Sequence, residues 1–323
     1  MNISVEALKS GVLSGDTRAL AKAITLFESA RLDHTEMANE LLSQLLPHSG
    51  QSLRLAVSGS PGVGKSTFIE AFGEQLLSAG HRLAVLAVDP SSPISGGSIL
   101  GDRIRMENLS RHPDVFIRPS PAGKMLGGTA RRTREAIIAC EAAGFDRICV
   151  ETVGVGQSET LAASMTDIFV LLYLPNSGDD VQGIKRGILE LADFVVITKA
   201  DGALTSAANL AKSQIEQALM LTRGTSHYPP QVFTVSSITG EGIAELGEAL
   251  LATAKDRQGS GFFANKRREQ SLAWFRSEFI DQIVADADRK LADEAETIRT
   301  EVENSTVAPS VAARKLISKI LKK

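Results

Sequence analysis

One stretch constrains this chain more than any other: Gly59-Ser60-Pro61-Gly62-Val63-Gly64-Lys65-Ser66. It fits G-x-x-x-x-G-K-S, with an apolar run, Leu53–Val57, before it and a helical pattern, Thr67–Leu77, after it. A chance glycine-rich turn would lack that strand–loop–helix context. The glycines let successive backbone N–H groups turn inward around an anion, and Pro61 stiffens the loop. The following helix adds its free N–H groups and the positive end of its dipole. Lys65 then neutralises β- and γ-phosphate oxygens, and the Ser66 hydroxyl reaches Mg²⁺. The pattern predicts a nucleotide-phosphate cradle made by Gly59, Pro61, Gly62, Val63, Gly64, Lys65, Ser66 and Thr67.

The rest of the chain supplies a scaffold for such a loop. From Leu53 to about Leu251, strand and helix patterns alternate. The expected strands are Leu53–Val57, Leu83–Val88, Val115–Arg118, Arg147–Val150, Ile168–Leu174, Phe194–Thr198 and Val232–Val235. Several are near-continuous apolar runs, as strands covered on both faces should be. The expected fold is α/β, a mostly parallel sheet with helices on both faces, and its ligand should lie beyond the carboxyl ends of the strands.

Helical extensions flank this region. Residues 1–50 read as helices, with Asp16 capping one and Asp33 and Glu36 at a capping-box spacing in another. They fit a clasp on the nucleotide domain or a partner-docking arm. Residues 51–257 read as the nucleotide domain. Gln258-Gly259-Ser260-Gly261 reads as a hinge, and residues 258–323 as a helical arm. There Leu272, Phe275, Phe279 and Ile283 recur at helical spacing. Such a stripe has to bury itself, on a dimer partner or on its own domain.

Bulk properties narrow the function classes. The 323 residues carry a net charge of −3, which argues against a nucleic-acid surface. The two cysteines, Cys140 and Cys149, have neither C-x-x-C nor metal-ligand spacing, and so fit a reduced, cytoplasmic setting. No apolar run reaches the roughly eighteen residues of a membrane span, so no membrane partner is expected. The N-terminus lacks the basic-then-apolar order of a signal peptide.

Further motifs fall at the expected strand ends. Asp89 and Asp102 bracket a glycine-rich segment suited to a switch loop, where either acid can serve Mg²⁺. Glu151 leads Glu151-Thr152-Val153-Gly154-Val155-Gly156-Gln157, a second-switch pattern. In it Glu151 is an acid near the metal, Gly154 offers its N–H to a γ-phosphate, and Gln157 is a candidate to orient water. Thr198-Lys199-Ala200-Asp201 matches the guanine element N-K-x-D except at its first position. Asp201 can accept both the N1–H and the N2 amine of guanine, and the Lys199 stem covers the base face. Ser236, Ser237 and Ile238, in Ser236-Ser237-Ile238-Thr239-Gly240, would offer backbone N–H groups to guanine O6. Together these favour GTP over ATP. A loop from Asn176 to Gly187, with Asp179, Asp180, Gln182 and Lys185, leaves a strand on the same side.

At this point the chain resembles a known family. Val88-Asp89-Pro90-Ser91-Ser92, Gly96-Gly97-Ser98-Ile99-Leu100-Gly101-Asp102, Phe116-Ile117-Arg118-Pro119-Ser120, Cys140-Glu141-Ala142-Ala143-Gly144-Phe145-Asp146 and Glu151–Glu159 are similar to segments of the MeaB/ArgK/MMAA GTPases. The likeness runs from the N-terminal helices to about Glu269. It implies a SIMIBI-type P-loop GTPase that gates cofactor loading and protects an adenosylcobalamin-dependent acyl-CoA mutase, such as methylmalonyl-CoA mutase. It also implies a homodimer through the C-terminal arm, and a metal neighbourhood of Ser66, Asp89, Asp102 and Glu151. The Asn176–Gly187 loop would be a third switch, moving with Gln157 and Lys185. Two other readings compete. One is an ATP-using kinase of an arginine/ornithine-type transport system, for which no phosphoacceptor pocket is visible. The other is a nickel or cobalt metallochaperone, which would want a His-rich tract or a C-x-x-C.

Overall fold

A computed structural model describes residues 4–29, 31–88, 106–119, 126–152, 158–175, 186–222 and 228–320. Three helices come first: α1 (Val5–Leu13), α2 (Thr17–Glu28) and α3 (Leu32–Leu45). Then strands and helices alternate: β1 (Leu53–Gly59), α4 (Lys65–Ser78), β2 (Leu83–Val88), α5 (Glu107–Arg111), β3 (Val115–Pro119), α6 (Leu126–Ala142), β4 (Arg147–Thr152), α7 (Ser158–Ala163), β5 (Ile168–Tyr173), α8 (Arg186–Leu191), β6 (Phe194–Ile197), α9 (Thr205–Thr222), β7 (Gln231–Thr234) and α10 (Ile243–Gly259). Three helices close the chain: α11 (Phe262–Lys290), α12 (Ala292–Glu303) and α13 (Pro309–Ile320).

Among the described residues the strands form one seven-stranded sheet, ordered β3-β2-β4-β1-β5-β6-β7. Every neighbouring pair is parallel. Parallel pairing follows from the helical crossovers, and the continuous apolar strands follow from helices on both faces. On one face Leu55, Val57, Val85, Val170 and Val196 pack against Phe68 and Phe72 of α4 and Leu246 and Leu250 of α10. On the other, α6 packs against β2 and β4, and α2 and α3 pack against α6. From β1 the chain builds β2, β3 and β4 to one side and β5, β6 and β7 to the other. The crevice at the carboxyl end of β1 is therefore the natural ligand site.

Among the described residues, the N-terminal helices are held by buried apolar side chains, by packing on α6 and by an ion pair to β3. Leu20, Ala23, Ile24 and Phe27 of α2 and Leu41 and Leu45 of α3 are buried. Asp16 caps α2, accepting from the Arg18 N–H at 2.8 Å. The capping box expected at Asp33 and Glu36 does not form. Helix α3 starts one residue before Asp33, with Arg31 at its cap, and the Asp33 carboxylate is taken by the Arg31 guanidinium at 2.6 Å. Arg118, near the end of β3, reaches Glu28 of α2 at 2.5 Å.

The amino ends of the strands rest on a polar floor. Asp167, just before β5, has no side-chain exposure, and it accepts from the Arg54 N–H at 2.8 Å and from Arg267 at 2.5 Å. Arg267 also donates to Gly50 O and Ser52 O, and the Lys266 ammonium donates to Asp167 O at 2.8 Å. With Phe263 in the main core, the first turns of α11 belong to this body. Two compact units result, Met1–Arg267 and Arg268–Lys323. In the second, Leu291, Ile298 and Ala312 are buried, and Lys315 meets Glu301 at 3.3 Å. Its part of α11 exposes Leu272, Phe275, Phe279, Ile280, Ile283 and Val284, each by 48% or more.

Glu141 on α6 completes the floor. Its carboxylate accepts from both sides of the Arg54 guanidinium (2.8 and 2.9 Å), from the Ser52 hydroxyl (2.5 Å) and from the Gly50 N–H (2.7 Å). Burial alone would raise its pKa, but Arg54, Ser52 and Gly50 more than offset this and hold it below the ordinary value of 4.5. A depressed carboxyl pKa gives stability that is present above the unfolded value and lost as pH falls through the folded one. Glu141→Gln should therefore cost about 3 kcal/mol at neutral pH, because Arg54 loses its counter-charge. It should also flatten the loss of stability below the ordinary glutamate value. Urea unfolding from pH 7 to pH 3 checks this, and identical acid limbs in variant and wild type would contradict it.

Candidate functional site

Strand β1 runs two residues further than its apolar run suggests, and Gly59 ends it. A Cβ on Gly59 would come within 2.7 Å of Leu172 O in β5, so the strand accepts no side chain there. Gly64 caps α4 at φ +96°, a left-handed conformation that glycine adopts without strain. The first bond of α4 runs from the Phe68 N–H to Gly64 O at 2.8 Å, so the N–H groups of its first turn precede the helical ladder at the carboxyl end of β1. The Lys65 ammonium lies along the loop, donating to Gly59 O at 2.8 Å and Ser60 O at 3.1 Å. The start of a helix, its dipole and the Lys65 ammonium thus meet at the end of β1, an arrangement that suits an anion.

Glu151 lies within β4 rather than beyond it, in register with Val57 of β1 and Ala87 of β2. It is buried, and its carboxylate accepts from the Ser66 hydroxyl at 3.4 Å. A carboxylate and a hydroxyl at this spacing are hard oxygen donors of the kind Mg²⁺ takes. Among the described residues no group of three or more His, Cys, Asp or Glu gathers as a metal cluster. Asp89, Asp102, Gly154, Gln157 and Lys185 lie outside the described residues, as does most of the Asn176–Gly187 loop.

The base-recognition segments meet at the ends of β6 and β7. The Ala200 N–H donates to Val235 O at 3.0 Å, joining the two. The Ser236 hydroxyl donates to Asp201 Oδ2 at 2.5 Å and accepts from the Ile238 and Thr239 N–H groups at 3.3 and 3.1 Å. Most N–H groups of this turn are thus used internally: Ser236 N–H goes to Glu241 O, and Gly240 N–H to Ser236 O. Of the donors expected for guanine O6, Ser237 N–H alone has no acceptor among the described residues. The Ile238 side chain is 82% exposed beside this turn. Lys199 takes φ +56° and donates to Gly62 O at 3.0 Å. Thr198, expected beside the base, is buried and donates to Val63 O.

Sequence reasoning missed one feature. Ser58 and Thr152 are fully buried, and the Thr152 hydroxyl donates to Ser58 Oγ at 2.8 Å, joining β1 to β4 one step beyond Glu151. The available signal was two hydroxyl residues continuing otherwise apolar strands.

A phosphate loop leaving the central strand of a parallel sheet, with an Asp-bearing base segment two strands away, defines a P-loop GTPase. The family model described as Methylmalonyl Co-A mutase-associated GTPase MeaB matches residues 20–292. GTPase ArgK of Escherichia coli K12 is 42% identical over 309 residues, 94% of this chain and 92% of that protein. The Mus musculus protein named methylmalonic aciduria type A homolog, mitochondrial, is 48% identical over 281 residues, 84% of this chain and 68% of that protein. A solved structure titled LAO/AO transport system kinase aligns at a TM-score of 0.76 and 34% identity, covering 100% of this chain and 99% of that one. This chain belongs to the MeaB family of GTPases; it binds GTP and GDP and hydrolyses GTP.

Lys65 faces the loop carbonyls and not the apolar core. Lys65→Ala should therefore abolish tight GTP binding and leave the melting temperature within a few degrees of wild type. Titration calorimetry reads the first and thermal unfolding the second; GTP bound at wild-type affinity would be the contrary result.

Proposed function

We propose that this GTPase is a chaperone of an adenosylcobalamin-dependent acyl-CoA mutase, gating cofactor loading and protecting or reactivating the enzyme. The observation that carries the reading is the match over residues 20–292 to a family described as mutase-associated. The mouse relative, named for methylmalonic aciduria, points to the same client, methylmalonyl-CoA mutase. The transport-kinase title of the solved relative has no such support in the site. Asp201, held by Ser236, suits the paired donors of guanine, and adenine has no such pair.

The chemistry assigns roles as follows. The N–H groups of Gly64, Lys65, Ser66 and Thr67 bind the β-phosphate side of the nucleotide, and Lys65 bridges towards the γ-phosphate. Ser66 and Glu151 would hold Mg²⁺ with Asp89 and Asp102, and the ion would supply positive charge to neutralise phosphate oxygens. Gly154 offers its N–H to the γ-phosphate and Gln157 orients water. With no arginine finger in the phosphate motifs, intrinsic turnover should be slow, on the order of 10⁻³ s⁻¹ or below. Lys185, brought in when the mutase binds, would supply transition-state charge, and each tenfold acceleration needs only about 1.4 kcal/mol.

Turnover measured with and without methylmalonyl-CoA mutase tests this reading. The mutase should accelerate hydrolysis, and Lys185→Ala should lower that acceleration, with Arg186→Ala as the control. No acceleration by any acyl-CoA mutase would end the chaperone reading; equal acceleration of wild type and Lys185→Ala would remove Lys185 alone.

We further assign residues 258–323 as a homodimerisation arm, with residues 1–50 a clasp on the 51–257 nucleotide domain and a cytoplasmic location for the whole. The six large apolar side chains exposed along α11 beyond Arg267 support a partner of equal length and the same stripe. Among them Phe275 and Phe279 stack at 6.2 Å between centroids. Phe275→Glu with Phe279→Glu should convert a dimer to a monomer in sedimentation velocity. A wild type that sediments as a monomer at micromolar concentration would refute the arm's role.

A further inference from the structure

The segment Gln258-Gly259-Ser260-Gly261, a hinge by its composition, folds into a closed corner. Helix α10 continues through Gly259, and Gly261 stands just past it at φ +76°. A left-handed glycine in this place is a common way to end a helix. The Ser260 N–H donates to Asp256 O at 2.9 Å, the Gly261 N–H to Gln258 O at 3.2 Å, and the Asn265 N–H to Gly261 O at 3.1 Å. Against this turn lies a buried cation. Arg257 is 2% exposed, and its guanidinium carbon is 4.6 Å from the Tyr228 ring centroid and 5.3 Å from that of Phe262. The two rings meet edge to face at 5.1 Å, and the Tyr228 hydroxyl lies 3.3 Å from Ser260 Oγ. Asp193 meets the charge at 2.6 Å.

A guanidinium held on aromatic faces away from water is bound more firmly than one in solvent. Its planar shape also fixes the directions in which the rings and the carboxylate can lie. Arg257 therefore ties three segments to one carboxylate: the end of α10, the stretch before β7 and the start of α11. Asp193 opens β6 and also holds β5, since its Oδ2 accepts the Phe169 N–H at 2.7 Å. A turn further along α11, Lys266 donates to Asp167 O at 2.8 Å and Arg267 to Ser52 O at 2.5 Å. These contacts sit at the amino ends of β1, β5 and β6. The carboxyl ends of β1 and β6 lead into the phosphate loop and the base segment. We propose that residues 257–263 form a fixed corner rather than a hinge, and that Arg257 is the positioning residue that holds it. The start of α11 then belongs to the frame that carries the nucleotide segments. All of these residues lie in the first compact unit, so the corner does not depend on what the arm binds.

The test is amide hydrogen exchange on the full-length protein, comparing residues 257–265 with α4 as an internal reference. In the wild type the corner should exchange as slowly as the last turns of α10. Arg257→Met keeps an apolar stem and removes the cation. It should speed exchange in the corner about tenfold and leave α4 unchanged. If the stranded Asp193 carboxylate unfolds that variant, Arg257→Met with Asp193→Asn removes the charge and keeps an oxygen for the Phe169 N–H. The same tenfold criterion applies to it. Fully unprotected amides across 258–261 in the wild type would make the segment a hinge and overturn the proposal. Exchange that stays at the wild-type rate, or rises equally in α4, would deny Arg257 a local role and also overturn it. Two glycines give a second reading. A Cβ on Gly259 or on Gly261 would meet nothing within 4 Å, and of the two only Gly261 has a positive φ. In a fixed corner Gly261→Ala should lower Tm by about 3 °C, while Gly259→Ala, inside a helix, should not lower it. Equal Tm values for the two variants would mean a mobile linker, contrary to the proposal.

Discussion

A phosphate cradle needs backbone N–H groups that are bonded to nothing else, and a folded protein tolerates few of those. Unpaired donors cost free energy wherever water cannot reach them. This loop keeps its donors by committing its carbonyls. Gly59 O and Ser60 O go to Lys65, Gly62 O to Lys199 and Val63 O to Thr198. Each commitment sets a peptide plane, so the donors have a direction before a ligand arrives. The sheet order makes this possible. Strand β1 lies between β4 and β5, and β6 sits next to β5, so the end of β6 can reach across to the loop.

The same economy applies to the base pocket. Asp201 has one carboxylate oxygen fixed by Ser236, whose hydroxyl is itself fixed by two N–H groups of its turn. The carboxylate therefore arrives oriented, and its rotamer entropy is spent in folding rather than in binding. Far below, Asp167, Arg54, Glu141 and Arg267 tie the starts of β1 and β5 to α6 and to the first turns of α11. Buried pairs of this kind add little net stability over an apolar replacement, but removing one partner strands a charge. Their contribution is to fix which elements meet at the floor of the sheet.

Much of this was legible in the sequence, and the limits of that reading have physical causes. The apolar strands and G-x-x-x-x-G-K-S were readable because parallel strands bury both faces and the loop chemistry is local. The capping box at Asp33 failed because a nearby guanidinium, Arg31, competed for the carboxylate. The N–H groups of Ser236–Gly240 were overcounted because a tight turn consumes its own donors. Thr198 could be placed in the motif but not aimed, since spacing fixes where a Cα lies and not where a hydroxyl proton goes. The Ser58–Thr152 bridge depends on strand register, which local pattern does not carry.

The buried hydroxyls share one logic. Ser58, Thr152 and Thr198 all occupy positions near the ends of strands where an apolar side chain would pack as well. A hydroxyl there gives up some transfer free energy and gains a directional contact. Ser58 and Thr152 join the strand entering the phosphate loop to the strand carrying Glu151, one residue beyond the Val57–Glu151 register pair. Thr198 joins the base segment to the same loop. Glu151 and Asp201, which have to stand at set distances from one bound nucleotide, are thereby referenced to a single piece of backbone. An apolar core would hold the strands together, but dispersion contacts are weakly directional and leave ångström-scale freedom along the strand axis. A hydrogen bond weakens steeply once bent or stretched, so these two fix the positions that packing alone leaves soft.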